Sequence, residues 1–328
     1  MAKPLEIRRK VGAVLARIAI TMGEPAGIGP EICLKALRAP AFGEHDVRLI
    51  GSVHVLGRCA QALGLRMPED GQLIDVPIAG ADGIAPGTVT AAGGEASAAY
   101  IERACEIARA GEVDAIVTAP INKESLRAAG VPHIGHTELL AAAFGVAHPL
   151  TLFVTEGLRV FFLSRHLSLR QAIDYATRER VLDMLRRVHE AMGQLGFDRP
   201  SIAVAAMNPH ASDGGQFGTE EAEHLEPAVR NAQSEGIDAR GPIGADSVFH
   251  QGLQGQHDCV LSLYHDQGHI ATKTRDFHGT ISATLGLPVL RTSVDHGTAF
   301  DIAWQGKASE YSLIKAVDVA LDLLRRRR

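Results

Sequence analysis

Two histidines four residues apart, His265 and His269, bracket Asp266 in the stretch CVLSLYHDQGHIATK (259–273) and raise the question of a metal-binding helix. A zinc-protease helix carries His-Glu-x-x-His on one face, with the glutamate as general base. Here aspartate replaces glutamate, the preceding CVLSLY reads as a strand, and Gly268 disfavours helix. The pair is therefore not expected to share one metal: His265 is the better ligand, and His269 a nearby hydrogen-bonding residue. A wider pattern gives His265 company. RVFFLS (159–164) is followed by Arg165 and His166, SIAVAAMN (201–208) by Pro209 and His210, and CVLSLY (259–264) by His265. Each histidine falls just beyond the carboxyl end of a strand, the edge at which open α/β sheets bind ligands. Three neutral imidazoles suit a divalent metal with positions left for substrate. For any one of the 15 histidines the alternative is a hydrogen-bonded loop residue. His45, His54, His189, His224 and His257 have no such setting and read as surface or packing residues.

Two further segments suggest an anionic ligand. In Gly135-His136-Thr137-Glu138 a glycine precedes a helix start, where Thr137 can cap and free N–H groups can face a phosphate; a plain N-cap, with Glu138 complementing the dipole, is the alternative. Lys273 and Arg291 flank FHGTISATLGLP and could clamp a carboxylate or phosphate, or be scattered surface charges. GEPAGIGP (23–30) follows the first strand but fails the G-x-G-x-x-G spacing, so it reads as a tight strand-to-helix turn with Pro30 in the first helical turn.

The elements that must position these residues are legible as alternation. Apolar, β-branched runs at 17–22, 47–51, 114–120, 150–154, 159–164, 201–208 and 259–264 alternate with segments of helical period such as 94–110 and 178–195. A helix is also expected soon after His166, opened by a capping box on Ser168 and Gln171. This is an α/β pattern with mostly parallel sheets, and 328 residues allow two domains with a crevice between their sheets. Four scattered cysteines read as buried free thiols. A formal net charge of -5 offers no nucleic-acid footprint, and the Arg325–Arg328 run complements a helix end. No run is apolar enough to span a membrane and no leader is evident, so a cytoplasmic protein is expected.

The runs TMGEPAGIGPEI, TAPINKESLRAAGVPHIGHTELL, MNPHASDGGQFGTEE, GPIGAD, YHDQGH and TLGLPVLRTSVDHGTAFDIA together resemble the 4-hydroxythreonine-4-phosphate dehydrogenase family of pyridoxal phosphate biosynthesis, from residue 17 to about 325. The resemblance implies a homodimer of two α/β/α domains, related to isocitrate and isopropylmalate dehydrogenases, with its active site in the interdomain cleft at the subunit interface. The implied domains are 1–125 with 286–328, and 126–285. It implies one divalent metal (Zn, Mg or Co) on His166, His210 and His265 drawn from both subunits, and substrate contacts from His136, Thr137, Lys273 and Arg291. Where biosynthetic members usually have asparagine, this chain has Ser282. The implied reaction is oxidation of the C3 hydroxyl of 4-phosphooxy-L-threonine by NAD or NADP, then decarboxylation to 3-amino-2-oxopropyl phosphate. Catabolic relatives acting on 4-phosphorylated threonate or erythronate are the alternative. Asp246, Asp266 and Lys123 are candidate proton acceptors beside an ordinary pairing role. The rivals from other classes are a metal-dependent phosphohydrolase and a non-catalytic phosphosugar-binding protein.

Overall fold

The computed structural model describes residues 15–327; the segment 1–14, read above for a leader, and Arg328 lie outside them. In chain order the strands are β1 (Arg17–Thr21), β2 (Asp46–Gly51), β3 (Leu73–Asp75), β4 (Ala115–Thr118), β5 (Leu150–Thr155), β6 (Leu158–Phe162), β7 (Ile202–Ala205), β8 (Ala239–Ile243), β9 (Cys259–Ser262), β10 (Ile281–Leu285) and β11 (Leu290–Val294). Between them run α1 (Gly29–Ala36), α2 (Val53–Leu63), α3 (Ala91–Arg109), α4 (Lys123–Ala128), α5 (His136–Phe144) and α6 (Leu169–Tyr175). The later helices are α7 (Arg178–Gln194), α8 (Glu226–Ser234), α9 (Ala245–Leu253), α10 (His265–Arg275) and α11 (Tyr311–Arg326).

The strands join one continuous 11-stranded sheet in the order β3-β2-β1-β4-β11-β10-β5-β6-β9-β7-β8, so the expected mostly parallel α/β architecture is found, but in one sheet rather than two. Ile18, Ala19 and Ile20 of β1 are all fully buried, as a central parallel strand covered on both faces requires. β1 to β4 and β11 run parallel; β10 is antiparallel to both its neighbours β11 and β5, and β5 to β6; β6, β9, β7 and β8 then run parallel again. Amphipathic helices cover the faces: α7 buries Val181, Leu185, Val188 and Met192, spaced by three and four, each apolar side chain contributing roughly 1.5–3 kcal/mol. All four cysteines are buried and free, and Arg325 and Arg326 close the last turn of α11. Among the described residues no helix is long and apolar enough to cross a membrane.

Candidate functional site

The three strands followed by the singled-out histidines are adjacent. β9 lies between β6 and β7, parallel to both, with Val260 opposite Val160 on one side and Ala203 on the other. Their carboxyl ends therefore emerge along one edge, and His166, His210 and His265 follow there, all exposed. His265 Nδ1 lies 2.6 Å from Asp266 Oδ1. A proton on Nδ1 directed at that carboxylate leaves the Nε2 lone pair free, the usual arrangement for a ligating imidazole. Asp266 is thus engaged as an orienting partner. Among the described residues of one chain, no three His, Cys, Asp or Glu side chains lie close enough to hold a metal ion.

Against expectation, His265 and His269 do share a helix. α10 starts at His265, and the two rings are 4.2 Å apart between centroids. Gly268 is tolerated because α10 presses against β6: a Cβ there would sit 2.6 Å from Phe162 Cε1 and 3.0 Å from Ser262 Oγ. Close packing outweighs the modest helix propensity cost of glycine. His269 is also not the hydrogen-bonding residue expected. Its ring is stacked on Phe162 at 4.7 Å and meets the edge of Phe153 at 4.4 Å, and Nδ1 is buried without a partner. Burial, with His265 nearby, pushes its pKa down to about 4.

The anion elements converge on the other half of the sheet. Arg291, 4 % exposed on β11, gives Nη2 to Thr118 Oγ1 at 2.7 Å and Nη1 to Thr284 Oγ1 at 3.1 Å, and among the described residues it has no carboxylate ion-pair partner. Burial lowers its pKa to about 10. A buried guanidinium fixed only by neutral hydroxyls retains donors and charge for an incoming anion. His136, the first residue of α5, has a buried Nε2 without a partner, and desolvation together with the Arg291 charge holds its pKa well below the usual value. It is therefore neutral at physiological pH. Thr137 follows in the same first turn. The expected threonine cap is not formed: Gly135 occupies the N-cap position and no side chain caps the helix, which leaves first-turn N–H groups for a ligand. Ser282 lies on β10 opposite Ser293 and, by the period of a strand, on the face shared with Thr284. Lys273 is not a free cation beside Arg291; its Nζ pairs with Asp295 Oδ2 at 2.5 Å, just beyond β11. α10 thus connects the two regions, with His265 at its start and Lys273 eight residues, roughly 12 Å, along.

Lys123 opens α4, Asp246 lies in the first turn of α9, and both are exposed, as is Asp266. Sequence reasoning missed several residues that shape these regions. Glu24, within GEPAGIGP, is fully buried with Oε2 unpartnered, and desolvation raises its pKa to about 7. Thr118 and Thr284 hold Arg291, and Glu221 binds the loop of His210. Arg165 is half-buried with lowered pKa through desolvation, near Glu138 and Asp295. The sequence signal for Glu24 and Arg165 was present, since a charged residue beside a strand end invites the question of what it faces.

Known proteins similar to this chain share its fold. A protein of Symbiobacterium thermophilum named "Putative D-threonate 4-phosphate dehydrogenase" is 50% identical over 317 residues, covering 92% of this chain and 95% of that one. A namesake from Clostridium botulinum (strain Hall) is 48% identical over 318 residues, with 92% and 95% covered. The crystal structure of 4-hydroxythreonine-4-phosphate dehydrogenase from Klebsiella pneumoniae superposes with a TM-score of 0.87 at 39% identity, covering 94% of this chain and 99% of that chain. Residues 44–320 match the family described as pyridoxal phosphate biosynthetic protein PdxA. With the strand-end histidines and the buried arginine carried on a fold shared with these dehydrogenases, the chain belongs to the PdxA family.

Proposed function

We propose that the chain oxidises the C3 hydroxyl of a 4-phosphorylated four-carbon hydroxy acid with NAD or NADP and a divalent metal, and that D-threonate 4-phosphate is the preferred substrate. The observation that carries the reading is the buried Arg291, paired with hydroxyls alone and facing the neutral His136 at the open start of α5. This is a seat for a phosphate: Arg291 supplies charge, the first-turn N–H groups and Thr137 supply further donors, and Ser282 extends the polar strand face. The choice of threonate is supported by the 50% identical relative named for that substrate and by serine at 282. The second reading, 4-phosphooxy-L-threonine, is favoured by the likeness to the Klebsiella enzyme.

Oxidation at C3 gives a β-keto acid: the hydride leaves to the nicotinamide, the hydroxyl proton leaves to a base, and the C1–C2 bond then breaks to release carbon dioxide, its electron pair forming an enolate that takes a proton at C2. From threonate the phosphorylated product is dihydroxyacetone phosphate; from the amino acid it is 3-amino-2-oxopropyl phosphate. Three imidazoles suit Zn or Co better than Mg, which takes oxygen ligands, and His265, with Nδ1 held by Asp266, is prepared as a ligand. Bound to His166, His210 and His265, the ion supplies Lewis acidity. Since no three such ligands gather within one described chain, the reading includes a homodimer in which a second copy completes the site. The exposed Leu167, Leu169, Phe217 and Ile270, close in sequence to the histidines, support such a contact. For the cofactor we propose the cavity of about 550 Å3 between Ile28, Phe277, His296, Ala299 and Ile302, large enough for part of a dinucleotide. The domain boundary is proposed where the sheet reverses polarity after β11. Asp246 and Lys123 remain proposed proton acceptors.

The test is a panel of D-threonate 4-phosphate, D-erythronate 4-phosphate and 4-phosphooxy-L-threonine assayed for NAD(P) reduction with and without metal. Highest kcat/KM for threonate phosphate is expected. Turnover of the amino acid alone would reject the substrate choice, and phosphate release without reduction would make the chain a phosphohydrolase.

A further inference from the structure

The segment that carries His210 has an unusual backbone. His210, Ala211, Ser212 and Asp213 have φ of 53, 54, 67 and 46°, four consecutive non-glycine residues in the left-handed region. Each is unfavourable on its own for an L-residue, so the run persists only where surrounding bonds impose it. The bonds converge on Glu221, 1 % exposed, which opens a single π-helical turn (Glu221–Leu225). Its Oε1 accepts from the main-chain N–H groups of Met207 at 2.8 Å and Asn208 at 2.7 Å. Its Oε2 accepts from Asn208 Nδ2 at 2.8 Å and from the buried Ser212 hydroxyl. Among the described residues no cation pairs with Glu221, so its charge is met by neutral donors. Asn208 Nδ2 also donates to Glu220 Oε2 at 2.6 Å, and Gly218, at φ 141°, leaves room for that contact, since a Cβ there would lie 2.6 Å from both atoms.

We propose that Glu221 is the positioning residue of His210: by gripping the backbone on one side of it and Ser212 on the other, it fixes the left-handed run and so the direction in which the imidazole points. This rests on the reading of His210 as a metal ligand. No hydrogen bond joins Glu221 to His210; it acts through Met207 and Asn208 before the histidine and Ser212 after it. Glutamine is the informative replacement, because it keeps the volume but turns one acceptor into a donor facing the donors Asn208 Nδ2 and Ser212 Oγ, or the main-chain N–H groups. Released, the run relaxes and the imidazole no longer converges with its partners.

The test uses the full chain stripped with chelator and titrated with Co2+ alone, read by the visible absorption of the bound ion, with His210→Ala as reference and thermal unfolding and circular dichroism as checks of folding. Glu221→Gln is expected to weaken Co2+ affinity by roughly 10–100-fold and alter the cobalt spectrum. Amide exchange at 208–217 should quicken while exchange in β7 and β9 is unchanged. If Glu221→Gln fails to fold, Ser212→Ala, which removes one of the bonds, is read in its place and should shift affinity and spectrum in the same direction. Unchanged affinity and spectrum in the folded variant, while His210→Ala loses the ion, overturns the role of Glu221 and leaves the ligand reading standing. Unchanged binding in His210→Ala overturns the ligand reading itself, and this inference with it.

Discussion

Arg291 and Glu24 show what single residues contribute that their types alone do not disclose. Arg291 stands out in the sequence for its charge, but what it can do depends on what it bonds: threonine hydroxyls, with the Glu138 carboxylate near but not in ion-pair contact, a property of strand register that one residue type cannot reveal. Arg291→Lys keeps the charge but loses the planar fork, and should lower kcat/KM for the phosphorylated substrate roughly 10–100-fold, through KM. Inorganic phosphate should lose potency as a competitive inhibitor in parallel; undiminished phosphate inhibition in the variant would remove Arg291 from the anion site. Glu24 makes a prediction of stability. Its carboxyl titrates near 4.5 unfolded and about 7 folded, because burial opposes its charge. The folded state then holds a proton that the unfolded state releases, so this contribution is fully present below pH 4.5 and is lost as pH rises through 7. Glu24→Gln removes that dependence, and above pH 7 should be more stable than the parent by on the order of 3 kcal/mol, read from urea midpoints between pH 5 and 8. Parallel pH profiles for the two proteins would contradict the buried-acid assignment.

At the scale of elements, the apolar runs were legible because burial on both sheet faces demands them: seven expected strands match β1, β2, β4, β5, β6, β7 and β9. β10 and β11 escaped because their alternate residues, Ser282, Thr284, Arg291 and Ser293, are polar and share one face of the sheet, and a polar row of that kind erases the apolar signal. β8 carries Gly-Pro at the sheet edge and β3 is only three residues long, so neither offers a pattern. α10 departs from the sequence expectation for the opposite reason. Gly268 lowers helix propensity locally, but the close approach to Phe162 that it permits is a tertiary fact. Gly268→Ala should therefore destabilise rather than follow helix propensity, by about 1–3 kcal/mol, as the helix is pushed off β6. A higher midpoint of thermal unfolding for the alanine variant would show that propensity, not packing, governs this position.

At the scale of the molecule, the edge that bears His166, His210 and His265 is assembled by adjacency of β6, β9 and β7, yet one described chain gathers no complete metal site. The proposed dimer resolves this if His265 of one copy meets His166 and His210 of the other, and that arrangement has a consequence a single-chain site lacks. His210→Ala and His265→Ala should each be inactive alone. In a mixed dimer with two-fold symmetry, one site collects both substitutions and the other collects neither. Random re-association of equal amounts makes about half the dimers mixed, with one intact site of two, so activity should return to roughly a quarter of the parent level. His166→Ala mixed with His210→Ala, both on the same side of the proposed interface, should restore nothing. Recovery in the second mixture would refute this division of the ligands between copies, and recovery in neither would place all three histidines in one chain or remove them from the reaction.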